Sequence, residues 1–158
     1  VTYVIGVDPG VSGAIAFWFS PAPDRIAVYD TPIAGGEVNT PGVASLIRDL
    51  CGDPVDDTIA YIERVHSMPG NSGRSMFNFG TAYGDVRGVI GALRIPTHFV
   101  TPQMWKKQFR LSADKEESRA LAIRMFPSCA DSFKLKKHDG RAEAALIALY
   151  GSQIGAAR

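Results

Sequence analysis

The chain has 158 residues, is 46% hydrophobic and 21% charged, and carries a net charge of +1. That length suits one domain over 1–158 with a sizeable core, and the apolar fraction is that of a soluble globular protein. No apolar run reaches the ~18–20 residues of a membrane-crossing helix, and no charged-then-apolar leader opens the chain.

Charge is unevenly spread. Residues 1–63 hold two basic side chains, Arg25 and Arg48, against nine acidic ones, whereas residues 101–141 hold ten basic against five acidic. A basic half suits a polyanion, and an acidic half with a carboxylate site suits a divalent cation. Scatter over a solvated surface is the plainer account. The two cysteines, Cys51 and Cys129, match no metal-ligand spacing and read as free thiols in a reducing, intracellular setting.

The first apolar run, Tyr3 to Asp8, reads as a strand that ends in a carboxylate. Pro9-Gly10 stops it, and Val11-Ser12-Gly13 leads into a second strand, Ala14–Phe19. Asp8-Pro9-Gly10 reads equally as an ordinary turn. A carboxylate at the tip of a buried strand is costly unless a cation or hydrogen-bond donors meet it, so a metal ion or a phosphate is the functional alternative. Arg25–Tyr29 reads as a third strand, giving three consecutive antiparallel strands. Asp30 to Asn39 reads as loop.

Thr40-Pro41 has the pattern of an N-cap with proline at the first helical position. Val43, Leu46, Ile47 and Leu50 follow at helical spacing. Thr58–Ile62 is a short apolar strand that ends in Glu63. If it pairs in parallel beside the first strand, Asp8 and Glu63 meet at one sheet edge, since neighbouring strands lie ~4.8 Å apart. A salt bridge to a neighbour such as Arg64 is the plainer role for Glu63.

The polar, glycine-rich stretch His66 to Arg74 follows directly. It includes Met68, Asn71 and Ser72, and is placed to touch a substrate or merely to connect. A helix is predicted over Ser75 to Leu93, with Phe79, Tyr83, Val86, Ile90 and Leu93 as its apolar face. Gly80, Gly84 and Gly88 form a stripe without side chains, which suggests close approach of another backbone: the sheet, a second subunit or a DNA strand.

Thr97–Val100 is the last strand, and Thr101-Pro102 starts another helix. Trp105 and Phe109 there read as core. Asp114 and Glu117 have capping-box spacing before a helix over Lys115 to Phe126. Lys106, Lys107, Arg110, Lys115 and Arg119 could line a phosphate-contacting surface, or a solvated helical face. The final helix is predicted over Asp139 to Ile154. Asp139 and Glu143 are four apart, so both project from one face, framed by Lys136, Lys137, His138 and Arg141. Their plainer role is to complement the helix dipole.

Three segments now stand together: Gly6-Val7-Asp8-Pro9-Gly10, Ile62-Glu63, and His138-Asp139-Gly140-Arg141-Ala142-Glu143. In order and spacing, along nearly the whole chain, they resemble the RuvC-type Holliday junction resolvases, especially the phage-borne ones. Ser112-Ala113-Asp114-Lys115-Glu116-Glu117 is also similar to that family. The resemblance implies an α/β, ribonuclease H-like fold: a five-stranded mixed sheet flanked by helices. It implies a homodimer that cuts two like-polarity strands of a four-way DNA junction, with Mg²⁺ or alternatively Mn²⁺, two ions per site. The setting implied is the cytoplasm of a bacterial or phage-infected cell.

By position, Asp8 and Glu63 match the first two family carboxylates and Glu143 the last. The remaining ligand falls at Gly140 here, and Asp139 is expected to replace it. Lys115 resembles a basic residue near the scissile phosphate. His66 stands where the bacterial enzymes have a wedging phenylalanine, with Met68 nearby. The rival readings are a nuclease of the same fold acting on other DNA, a phosphate-binding protein of the actin and sugar-kinase type, and a non-catalytic junction-binding module. The second needs a second domain, for which 158 residues leave little room.

Overall fold

The computed structural model describes residues 2–66 and 69–156. Seven strands and five α-helices follow in the order β1 (Tyr3–Asp8), β2 (Ala14–Phe19), β3 (Ile26–Asp30), β4 (Ile33–Ala34), β5 (Glu37–Val38), α1 (Thr40–Cys51), β6 (Thr58–Glu63), α2 (Gly73–Ala92), β7 (Thr97–Val100), α3 (Pro102–Gln108), α4 (Lys115–Met125) and α5 (Asp139–Ala156). Two 3₁₀ segments, Pro127–Phe133 and Lys136–His138, bridge α4 and α5. The main sheet has five strands in the order β3-β2-β1-β6-β7. β1 pairs antiparallel with β2 and parallel with β6, and β6 pairs parallel with β7. The mixed sheet is therefore the one expected. The segment expected as loop between β3 and α1 instead folds back as the small β4–β5 hairpin.

Strand pleating divides the core. Ile5, Val7, Ile15, Phe17, Ala60 and Ile62 face α1 and α2, where Val43, Ile47, Val86 and Ile90 meet them. Val4, Ala14, Ala16 and Tyr61 face the other way, against α5 and the inner sides of α3 and α4. By the same alternation Asp8 follows Val4 and Gly6, and Glu63 follows Tyr61, onto the α5 side.

α5 is buried from Ala142 through Tyr150 and lies across β1 and β2. Its alanines let it approach closely. A Cβ at Gly6 would fall on the Ala144 carbonyl oxygen and the Ala148 nitrogen, so only glycine fits there. Gly151 likewise clears the Tyr61 ring. This close seating carries the start of α5 to the strand ends of β1 and β6.

α2 turns most of the expected face inward, Tyr83, Val86, Ile90 and Leu93, with Ala82 in place of Phe79. Ala82, Val86 and Ile90 are buried, while Phe79 is 38% exposed. No described atom lies within 4 Å of a Cβ built at Gly80, Gly84 or Gly88, so the glycine stripe does not seat the helix on the sheet. Helix starts are also set differently. Asn39, not Thr40, caps α1 by accepting from Gly42 N–H, and Ser72 caps α2 by accepting from Ser75 N–H. Asp114 caps α4 by accepting from Glu116 N–H, while Glu117 turns back to accept from the Ser112 backbone and hydroxyl. The expected capping box is not formed.

Candidate metal centre and nucleic-acid face

β1 and β6 run in the same direction with Val7 opposite Ile62, so the next residues, Asp8 and Glu63, leave the sheet side by side. Glu143 reaches the same point from the second turn of α5. The three carboxylates each offer an oxygen, and these oxygens lie within 4.8 Å of one another. Glu63 and Glu143 are buried, at 8% and 9% exposure.

Burial pushes the Asp8 carboxyl well above the usual carboxylate range, and the charges of Glu143 and Glu63 push it further. Burial also raises Glu63, against the opposing donation of the Trp105 indole, and burial raises Glu143. Lys115 and Lys106 act in the other direction on all three, yet neither forms an ion pair with them. Among the described residues no salt bridge reaches Asp8, Glu63 or Glu143. Three crowded carboxylates that repel one another and lack a protein counter-ion form a site that could bind a metal ion. An all-oxygen donor set fits a hard divalent cation such as Mg²⁺ or Mn²⁺.

Asp139 stands apart from this trio. Its Oδ1 lies 3.4 Å from Arg119 Nε and is buried without a hydrogen bond. It does line the same cleft of about 340 Å³ as Asp8, Glu143, Lys115 and Lys137. The position between has a steric explanation. A Cβ at Gly140 would stand 2.9 Å from Asp8 Oδ2 and 3.0 Å from the Ser12 carbonyl oxygen. The Asp8 carboxylate occupies the space a side chain at 140 would need.

Arg119, expected on a phosphate-contacting face, is instead 9% exposed and engaged inside the protein. Its guanidinium donates to the carbonyls of Phe133 and Lys134 and pairs with Glu116 and Asp139. Its backbone position on α4 turns it toward the 3₁₀ segment, which needs its donors. Arg141 is held in two bonds, of 2.8 and 2.9 Å, to Asp30 on β3. The remaining candidates are more open. Lys107, Arg110, Lys115, Lys136 and Lys137 are exposed, and Lys106 is half-buried with its Nζ 5.2 Å from the centre of the Trp105 ring. His66, Asn71, Ser72 and Arg74 are exposed as well. Met68 lies outside the described residues.

A second cleft of about 720 Å³ is lined by Glu63, His66, Asn71, Met76, Phe79 and Gln103 among others. Phe79, expected in the core, is a wall of both clefts. Trp105 was read as core packing alone. It is fully buried, but its Nε1–H also donates to Glu63 Oε2 at 2.7 Å. The available signal was chemical: a buried indole needs an acceptor.

No family model matches the chain, and no curated protein matches it in sequence. Solved structures do match. Thermus thermophilus RuvC in complex with a Holliday junction substrate aligns at 13% identity and a TM-score of 0.65, covering 98% of this chain and 97% of that one. Another Thermus thermophilus RuvC structure aligns at 13% identity and a TM-score of 0.59, with the same coverage. The fold is that of RuvC. It is ribonuclease H-like, with the five-stranded mixed sheet flanked by helices that the sequence led us to expect.

Proposed function

We propose that the chain is a metal-dependent DNA endonuclease that resolves four-way junctions by paired nicking, acting as a homodimer over one nuclease domain, 1–158. The observation that carries this reading is the trio Asp8, Glu63 and Glu143, delivered by β1, β6 and α5 to within 4.8 Å, with no salt bridge to any of them among the described residues. The likeness to a RuvC whose solved form holds a Holliday junction supports branched DNA as the substrate.

In this reading Asp8, Glu63 and Glu143 hold two Mg²⁺, or Mn²⁺, with Asp139 at the helix start as the fourth ligand. When bound, such a pair activates a water for attack at phosphorus and stabilises the departing 3′-oxygen. Lys115, exposed on the wall of the same cleft, meets the charge that builds on the phosphate. Lys106, Lys107, Arg110, Lys136 and Lys137 steer the DNA backbone. His66, Asn71, Ser72 and Arg74 lie along the branch. The cell compartment is the cytoplasm of a bacterium or a phage-infected cell, where the activity serves recombination and repair.

His66 in place of a wedging phenylalanine favours a second reading, in which a nuclease of this fold prefers other branched or duplex DNA. A nicking assay with Mg²⁺ on four-way, three-way and linear DNA separates the two. Symmetrical paired nicks in the four-way junction are expected, abolished in Asp8→Asn while junction binding persists. Preferential cutting of three-way or linear DNA favours the second reading. Wild-type cutting rates in Asp8→Asn overturn the site, and binding without any cutting overturns the enzyme.

A further inference from the structure

The indole of Trp105 is fully buried, and the acceptor of its N–H is not a backbone carbonyl but the Glu63 carboxylate, 2.7 Å away and 42 residues distant in sequence. We propose that Trp105 is a positioning residue that fixes the Glu63 carboxylate for metal binding, and that its indole therefore reports ion occupancy. The proposal rests on the reading of Glu63 as a metal ligand.

Local structure makes the donor rigid. Thr101 caps α3 by accepting from Met104 N–H, and Pro102 opens the helix, so Trp105 sits on a fixed first turn. Its ring lies in the core formed by the α5 side of the sheet, together with Tyr61, Val100 and Leu146. An aromatic ring packed in this way has little rotational freedom, so its N–H direction is set by the core. A glutamate side chain, by contrast, has three rotatable bonds and would sample several orientations among its neighbours. Donation to Oε2 removes that freedom and leaves Oε1 without this donor.

Such outer partners orient metal ligands, and their loss typically costs ~10–100-fold in metal affinity. A purely structural account needs only an acceptor for a buried N–H. It does not explain why that acceptor is a carboxylate of the acidic trio.

Trp18 and Trp105 are the two tryptophans of the chain, so Trp18→Phe leaves Trp105 as the sole indole. In that protein, Trp105 emission should change saturably with MgCl₂ or MnCl₂, with the half-point found by calorimetry. Glu63→Gln should abolish the change. Trp105→Phe loses the donor but also volume. The decisive replacement is therefore benzothienylalanine at position 105, which keeps the ring shape and puts sulfur where the N–H was. Calorimetric affinity for Mn²⁺ should fall about tenfold or more. Affinity within twofold of the Trp18→Phe parent overturns the proposal, as does flat emission while calorimetry shows binding. If the parent itself binds neither ion, the metal reading of Glu63 falls and takes the proposal with it.

Discussion

Asp8 stands where burial, Glu143 and Glu63 all favour its protonated form. Folding therefore takes up a proton at this site as pH rises past the ordinary carboxylate range. The sign follows from linkage. A carboxyl whose folded pKa is raised contributes fully below its unfolded value near ~4, and that contribution is lost as pH climbs through the raised value. Other groups titrate in the opposite sense: Arg141 lowers Asp30, and burial lowers His138. The clean quantity is thus the difference between two proteins that share those groups. With EDTA present, Asp8→Asn should melt above wild type, and the gap should widen as pH rises above ~4, each kcal/mol appearing as roughly 2–4 °C. Saturating Mg²⁺ should then raise wild type more than Asp8→Asn. A gap that stays constant with pH, by scanning calorimetry, would show that the Asp8 charge is not strained in the folded protein.

Elements that announce themselves by short apolar runs were legible. β1, β2, β6 and β7 stand where the runs predict, and Asp8 and Glu63 end two of them because a carboxylate terminates an apolar run visibly. The face of α2 was legible except at its start. Its pattern gives alternatives at Phe79 and Ala82, and which is covered depends on α1 and the sheet, outside the window of local periodicity. Trp105 is core as its sequence suggested, but its bond to Glu63 and the burial of Arg119 were hidden for a related reason. Sequence shows that one is apolar and the other charged, whereas their partners, Glu63 and the Phe133 and Lys134 carbonyls, lie 42, 14 and 15 residues away. The seating of α5 was likewise invisible, and it is what assembles the site. Gly6→Ala should wedge α5 from β1, since its methyl would meet helix backbone rather than a movable side-chain tip. A loss of about 1–3 kcal/mol or more is expected from such overpacking, measured by urea unfolding. Because α5 carries Glu143, metal affinity should fall in the fraction that stays folded. Gly80→Ala makes the contrast: with no described neighbour at its Cβ, it should stabilise α2 by up to ~1 kcal/mol.

Over the whole molecule, the uneven charge of the sequence resolves into two kinds of cation. Arg119 and Arg141 are spent on tying α4 to the 3₁₀ segment and α5 to β3. Lys107, Arg110, Lys115, Lys136 and Lys137 remain in solvent, and Lys115 and Lys137 line the cleft. Counting all of them as DNA contacts would overstate the electrostatic footprint. Backbone contacts reveal themselves through counterion release, so each lost phosphate contact lowers the salt slope of binding by ~1 on duplex DNA. In an Asp8→Asn background, which removes cleavage, Lys137→Ala should weaken four-way junction binding and reduce that slope by about 1. Arg119→Ala should leave the slope unchanged. Its cost should appear instead in stability, of order 1–3 kcal/mol, because two carbonyls lose a buried donor and Asp139 its ion-pair partner. Fluorescence anisotropy over a KCl series, beside urea unfolding of both variants, measures the two effects separately. If Arg119→Ala flattens the slope while Lys137→Ala does not, the division between inner braces and an outer DNA face is reversed.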